Sequence, residues 1–529
     1  MRTQLLALAL ALPASPALAQ GPTIPVFEEV TQSAGIASVF EGEWEYMVGG
    51  GVATFDCDGS GRPSMLLAGG TAPAKFYRNV SRTGGDLNFV ETESGLERDA
   101  VSGAYPIDID SDGIMDIVLV RVGENHVMRG LGACRFESAN DAWGFDGGDA
   151  WSSAFAATWE RGGDWPTLAL GNYIDRNESM FPWGSCTDNW LHRPASQGQG
   201  FAPPLPLTPS FCALSMLFTD WDRSGTPDLR ISNDREYYHN GQEQLWRIEP
   251  DTDPVLYGEA DGWQRLRIWG MGIASYDLNF DTYPEYFLTS MADNKLQVLS
   301  DVPPDGAPKP VYSDLAYARG VTAHRPYTGE ELRPSTAWHT QFEDMNNDGW
   351  VDLFIAKGNV WEMPDFAMQD PNNLLLQGPD GNFTEAGEDA GVSSMRTARG
   401  GAIADFNLDG RLDLVVVNRH AGAQLWQNVS QNLGNWIEIR PVQPAPNQHA
   451  VGGWIEVRRG SDVMRREMTV GGGHVSGQAG WYHFGLGDLT ETEIRVLWPD
   501  GEAGEWSGVD AGGFYLYDRD AGVTPWTPQ

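Results

Sequence analysis

The chain has 529 residues, with 73 Asp or Glu against 35 Lys or Arg and a formal net charge of −38. That balance excludes nucleic acid and anionic membrane surfaces as partners, because both repel an acidic protein. Its 63 Gly and 21 Trp, set among short alternating apolar segments, fit an all-β chain long enough for two domains.

Residues 1–19 read as a signal peptide. Met1-Arg2-Thr3-Gln4 supplies a positive start, Leu5 to Leu12 a short apolar run, and Ala17-Leu18-Ala19 a small-x-small cleavage site before Gln20. No later run reaches the roughly 18 apolar residues of a membrane helix. The sequence therefore predicts an exported, soluble chain, periplasmic or extracellular, without membrane insertion.

One acidic loop then recurs through residues 20–434. It carries oxygen-bearing side chains at positions 1, 3, 5 and 9 and a turn residue at position 6. The copies are Asp56, Asp58, Ser60 and Ser64; Asp108, Asp110, Asp112 and Asp116; and Asp220, Asp222, Ser224 and Asp228. Three more are Asp277, Asn279, Asp281 and Glu285; Asp344, Asn346, Asp348 and Asp352; and Asp405, Asn407, Asp409 and Asp413. Position 6 is Gly in five copies and Thr282 in the other. Calcium takes about 6–8 oxygen ligands, and a tight ligand loop needs a residue free to turn sharply. An EF-hand would place Glu at position 12, but Leu67, Leu119, Ile231, Leu288, Ile355 and Val416 stand there. One such loop is as easily an acidic surface turn. Six copies of one pattern point to structural Ca²⁺, up to about six ions.

The spacing gives the architecture. Successive first positions lie 52, 112, 57, 67 and 61 residues apart. The gap of 112 is twice the unit. A degenerate copy lies in its middle, from Thr158 to Asn172, where Trp159 and Arg161 replace ligands. Seven units near this length predict a seven-bladed β-propeller. A second signature, Phe27-Glu28-Glu29-Val30-Thr31, recurs at Phe89 and Phe383, and Lys75–Asn79 recurs as Gln424–Asn428. The first Phe27 copy precedes every loop, so the ring can close by lending Phe27–Thr31 to the last blade.

Four cysteines in an exported chain suggest two disulfides. Cys186 and Cys212 bracket one Pro-rich insertion, which leaves Cys57 with Cys134. The long insertions, after Asn172, Asn233 and Lys357, all follow the strand leaving an acidic loop. They should gather on the face opposite the metals, where binding is expected. Trp183, Tyr237 and Trp361 are the aromatic anchors expected there.

The repeat stops near Gly434. Residues 435–520 alternate strands with Gly turns and predict a small β-sandwich, and 521–529 read as a tail. His474 and His483 are expected in structural, hydrogen-bonding roles.

The two parts together resemble a known family. The acidic repeats resemble FG-GAP/VCBS repeats, as in the propeller of integrin α chains. Asn435-Trp436-Ile437-Glu438-Ile439, Gly471-Gly472-Gly473-His474, His483-Phe484-Gly485-Leu486-Gly487 and Leu497-Trp498-Pro499-Asp500-Gly501 resemble the ASPIC/UnbV domain. The combination is similar to cartilage-acidic-protein-like proteins. The resemblance implies an exported calcium-binding propeller with adhesive or partner-binding roles and no established catalysis. The function expected is a binding or adhesion module for an extracellular or periplasmic protein or glycan. The alternative is a carbohydrate-active enzyme, a glycoside hydrolase or lyase, with Asp175, Asp234, Glu236 and Glu362 as carboxylates on the insertion face. No GxSxG elbow, HExxH or phosphate loop occurs.

Overall fold

Short apolar strands punctuated by Gly and Asp turns give a nearly all-β chain, seen here in a computed structural model. The structure describes residues 22–178, 184–196, 199–235, 240–303 and 306–528. The expected leader and cleavage site, and the side chains of Trp183, Glu236 and Tyr237, lie outside them.

Each repeat forms a four-stranded antiparallel meander. The first is Val52–Phe55, Ser64–Leu67, Lys75–Asn79 and Phe89–Glu91. The second to sixth start with the strands Val101–Ile107, Ser152–Thr158, Ala213–Thr219, Gly270–Tyr276 and Ala337–Glu343. The seventh joins Ala398–Ala404, Asp413–Asn418 and Gln424–Asn428 to Phe27–Glu29 from the other end of the chain. Phe27 pairs with Asn428, and Leu425 N donates to Thr31 Oγ1 at 2.9 Å. The starting strand of each sheet packs against those of its two neighbours, the seventh against the first, so the ring closes.

These inner strands are buried on both faces, which explains their Ala, Ser and Gly content: Val101–Ile107, Ser152–Thr158 and Ala213–Thr219 are buried at every position. The recurrent Asn of the third strand ties blades together. Asn79 Nδ2 donates to Phe406 O at 2.9 Å and Asn428 Nδ2 to Met345 O at 3.3 Å, each in the acidic loop of the preceding blade. Disulfides join Cys57 to Cys134, between the first and second sheets, and Cys186 to Cys212, across the Pro-rich insertion.

The C-terminal region stacks two four-stranded sheets. One contains Asn435–Val442, Tyr482–Gly487, Gly513–Asp518 and Gly522–Trp526, the other Trp454–Arg459, Asp462–Glu467, Glu491–Leu497 and Ser507–Asp510. Ile437, Ile455, Phe484 and Val496 fill the space between them. The segment read as a tail is a correction: Gly522–Trp526 pairs with Gly513–Asp518. Pro525 is tolerated because this strand is the sheet edge.

Between Glu467 and Tyr482 this domain sends a glycine-rich loop into the propeller channel. It bridges to Ala157 through Val470, to Leu217 through Gly471, to Ile273 through Gly473 and to Ala104 through Ser476. Gly477–Gln478 adds a fifth, parallel strand beside Ala53–Thr54. His474 N donates to His339 Nδ1 at 3.2 Å and Gln478 Nε2 to Ile403 O at 2.8 Å. The plug thus touches the inner strand of all seven sheets. Gly471, Gly472 and Gly473 hold φ of 124°, 74° and 56°, and a Cβ on Gly471 would lie 2.6 Å from Met216 O. Only glycine fits so close to the inner strands.

Candidate functional site

The six acidic loops share one backbone path. Positions 4 and 6 are left-handed throughout, with φ of 55° and 84° at Ser111 and Gly113, and 55° and 80° at Leu408 and Gly410. The position 1 carboxylate accepts the amide of position 6 in every copy, from 2.6 Å at Asp405 to 3.1 Å at Asp277. The position 9 carboxylate clamps the loop to the third strand. Asp116 accepts Ile109 N at 2.8 Å and Gly130 N at 2.7 Å; Asp352 and Asp413 repeat the pattern. This stitching is a metal-independent role that the pattern of oxygens did not reveal.

The donor sets differ in how well they fit a hard cation. Asp108, Asp110 and Asp116 bring ligand oxygens within 4.8 Å of one another, and Asp110 Oδ1 is buried without a hydrogen bond. Burial, then mutual repulsion, raises Asp116 to about 8; burial chiefly raises Asp108 to about 6. A bound cation would relieve both costs. Asp344, Asp352, Asp405 and Asp413 are raised well above the carboxylate range, burial first and neighbouring carboxylates second. Asn407 Oδ1 and Asp277 Oδ1 are also buried without partners. Among the described residues the Asp108 set alone has a metal's spacing as it stands, with Arg129 2.9 Å from Asp110 Oδ2 as its present counter-charge; the Asp277, Asp344 and Asp405 loops repeat its buried position 1 and position 9 carboxylates.

Two others fit less well. Asp228 accepts Trp221 Nε1 at 2.8 Å, Tyr257 OH at 2.7 Å and Ile248 N at 3.3 Å, which occupies the carboxylate. In the first loop position 9 is Ser64 rather than a carboxylate, and its Oγ accepts Asn79 N at 3.1 Å. In the degenerate copy Glu160 pairs with Arg193 at 2.6 Å and accepts Thr167 Oγ1 at 2.7 Å, so this loop carries its own counter-charge.

The C-terminal domain covers this face and touches all six loops. Trp481 Nε1 donates to Gly61 O at 3.1 Å, Gln448 Nε2 to Ser111 O at 2.8 Å and Asp220 N to Glu467 at 2.7 Å. Arg465 lies 3.4 Å from Asp277, His483 Nε2 2.7 Å from Asn347 Oδ1, and the Trp436 indole packs over Gly410. Between this cap and the ring is a polar cavity of about 160 Å³. Arg466 bridges to both oxygens of Glu343 there, at 2.8 and 2.5 Å, and Glu438 faces His483 Nδ1 at 3.2 Å. His474 and His483 are both buried and hydrogen-bonded.

The opposite mouth of the channel is different. The insertions and inter-blade loops converge there on an apolar cup of about 200 Å³, lined by Met47, Met271, Met291, Met363, Trp338 and Phe366 among others. Trp361 is half-buried beside it, under the Arg419 guanidinium at 4.1 Å. Of the carboxylates weighed for catalysis, Asp234 is buried against Arg235 at 3.4 Å and bonded to Tyr173 OH. Glu362 is exposed, and Asp175 accepts Asn177 N at 2.8 Å. The cup was not legible from sequence, because its methionines come from strands and loops far apart in the chain.

The ASPIC and UnbV family matches residues 443–522, and the FG-GAP-like repeat family matches residues 344–447. No curated protein matches the chain. Among solved structures, BBS1N in complex with ARL6DN is similar over 78% of this chain and 97% of its own, at 10% identity and a TM-score of 0.40. A lectin of Agrocybe aegerita that recognises non-reducing terminal N-acetylglucosamine is similar over 72% of this chain and 94% of its own, at 14% identity and 0.38. A sialidase of Trypanosoma rangeli is similar over 66% and 56%, at 8% identity and 0.34. The matched segments support the repeat and C-terminal architecture; the cartilage-acidic-protein-like assignment stays a resemblance. The chain is a nearly all-β propeller in which residues 344–447 match the FG-GAP-like repeat, followed by a region matching ASPIC and UnbV over residues 443–522.

Proposed function

We propose that this is an exported, calcium-binding propeller that binds a protein or glycan partner through its insertion face. One observation carries the choice of face. The cap domain lies over all six acidic loops, while the mouth opposite presents the cup. Ca²⁺ in this reading would be held by Asp108, Asp110 and Asp116 and by the equivalent sets at Asp277, Asp344 and Asp405, and would supply counter-charge that locks the loops. Two disulfides favour an oxidising compartment. No helix of the described residues is long and apolar enough to cross a membrane. The matched domains are of repeat and binding type, which favours a binding module over the carbohydrate-active alternative.

The test is partner capture from the native extracellular fraction, alongside a glycan array, with the full chain as bait. Trp361→Ala and Phe366→Ala should each weaken capture, and substitutions on the outer cap surface should not. Capture that ignores both and falls on cap substitutions would place the binding surface on the other face.

A further inference from the structure

We propose that the cup at the insertion-face mouth takes an uncharged aromatic ring. This rests on the reading of that face as the binding face, and names what it recognises. The cup holds about 200 Å³. An apolar cavity of about 150 Å³ already accepts a benzene ring. The floor is closed. Trp338 lies across the channel, fully buried, with its Nε1 donating to Gly358 O at 2.7 Å and the His474 ring of the plug behind it at 5.0 Å. A ring that enters meets a fixed indole and stops.

The walls favour a ring over other apolar groups. Met47, Met271, Met291 and Met363 bring four thioethers to one small cup. Methionine sulfur attracts ring edges, and its unbranched chain adjusts to the shape it meets. Half-buried Trp269 and Phe366 stand edge to face, with centroids 6.5 Å apart, and offer the same contact to a third ring. Among the described residues the charged groups lining the cup are committed, Asp234 to Arg235 and to Tyr173, and Arg399 behind the Trp338 ring is spent on the carbonyls of Met47, Asn359 and Val360. A charged ring would therefore lose hydration without gaining a counter-ion, and a pyranose would bury hydroxyls without partners. The ring is either a free aromatic molecule or the side chain of a protein partner.

The probes are 5-fluoroindole for the free ring, N-acetyl-tryptophanamide for the peptide-borne ring and methyl glucoside for a sugar. The readout is the methyl spectrum of the full chain labelled in its 15 methionines. 5-Fluoroindole should shift the methyl signals of Met47, Met271, Met291 and Met363 and leave the remote ones in place. Binding of the tryptophanamide at the same signals supports a protein-borne ring; binding of fluoroindole alone supports a small molecule. Met363→Trp fills the mouth and should weaken fluoroindole at least about tenfold, with unmoved remote methyl signals showing that the chain is folded. Phe366→Ala serves if that variant does not fold, and should weaken it too. The inference is overturned if fluoroindole leaves the four signals of the native chain unmoved up to its solubility, or if the variant used binds it as tightly as the native chain does, read at Met47, Met271 and Met291. If methyl glucoside moves them instead, the ring is wrong and the insertion face stands. If all three probes act only at the cap, both readings fall.

Discussion

The imidazole of His474 lies against the indole of Trp338, with ring centroids 5.0 Å apart and planes at 49°. One ring belongs to the C-terminal domain and the other to the sixth blade. The contact therefore separates two spaces inside one ring of blades: a polar cavity under the cap and an apolar cup at the far mouth. It also makes the plug part of the propeller core, so the stability of the two domains is shared.

His474 should give that shared stability a pH dependence. Burial holds its imidazole down to about 3, with Arg399 and His339 adding repulsion. The unfolded chain protonates it near 6.5, so below that pH the unfolded state binds more protons and the folded state loses ground. The stability that neutral His474 contributes is full above pH 6.5 and declines as pH falls toward 3. His474→Gln keeps a donor for Leu214 O, 3.2 Å from Nδ1. Relative to that variant, the native chain should lose about 1.4 kcal/mol per pH unit below 6.5. Denaturant melts of both proteins at pH 7.5 and 5.5 measure the difference; parallel pH curves would mean that the imidazole is solvated.

The plug should also be breakable from the propeller side. A Cβ on Gly51 would lie 1.8 Å from the Val475 carbonyl oxygen, a backbone atom that cannot swing away. Gly51→Ala should cost on the order of 3 kcal/mol. It should also expose the amides of Gly472 and Gly473, which donate to Met216 O and Ile273 O at 2.6 Å. Hydrogen exchange at these two amides reads plug seating directly. Protection equal to the native chain would show that the plug tolerates the extra atom.

The repeat and its loops were legible because their cause is local. Carboxylates at positions 1 and 9 each bond a nearby amide, as Asp405 does with Gly410 and Asp413 with Phe406, so a few residues fix each turn. The N-terminal strand was legible because Phe27-Glu28-Glu29 repeats an outer strand without a sheet of its own. The cap over the loops was not legible. Trp436, Gln448, Arg465 and Trp481 reach them from a domain whose docking leaves no period in the sequence. Gly471-Gly472-Gly473 read as a turn, although its glycines are required by inner strands hundreds of residues away. The position 9 carboxylates read as ligands alone, because backbone partners carry no side-chain signature.

Thr282 is the one copy in which position 6 departs from Gly, and it holds φ of 86°. A β-branched residue there is strained, since its Cβ crowds the backbone. Its amide still donates to Asp277 at 3.1 Å, so the turn itself is kept. Thr282→Gly should therefore stabilise the chain by about 1 kcal/mol, measured as a raised melting temperature. A lowered one would mean that the Thr side chain makes contacts worth more than the strain.

Calcium should act on the whole assembly through the loops. Asp108, Asp110 and Asp116 crowd their oxygens within 4.8 Å, and burial denies them solvent screening. A divalent ion would reverse the sign of that interaction and stiffen the positions the cap rests on. Each site filled to 100 times its dissociation constant adds about 2.7 kcal/mol, provided the unfolded chain does not bind. Chelation should lower the melting temperature and, because the cap stands on the loops, raise exchange at Gly472 and Gly473 as well. Mg²⁺ should restore little, since it demands a smaller octahedral cage. Asp110→Ala and Asp409→Ala should each reproduce part of the loss. Asp164→Ala should not, because Glu160 and Arg193 already balance that loop. Elemental analysis should find at least one ion, at the Asp108 set, and up to about four if the Asp277, Asp344 and Asp405 loops also fill. A count near zero, with melting and exchange indifferent to chelator, would leave the loops as turns held by their own amide bonds and the cap as their only lock.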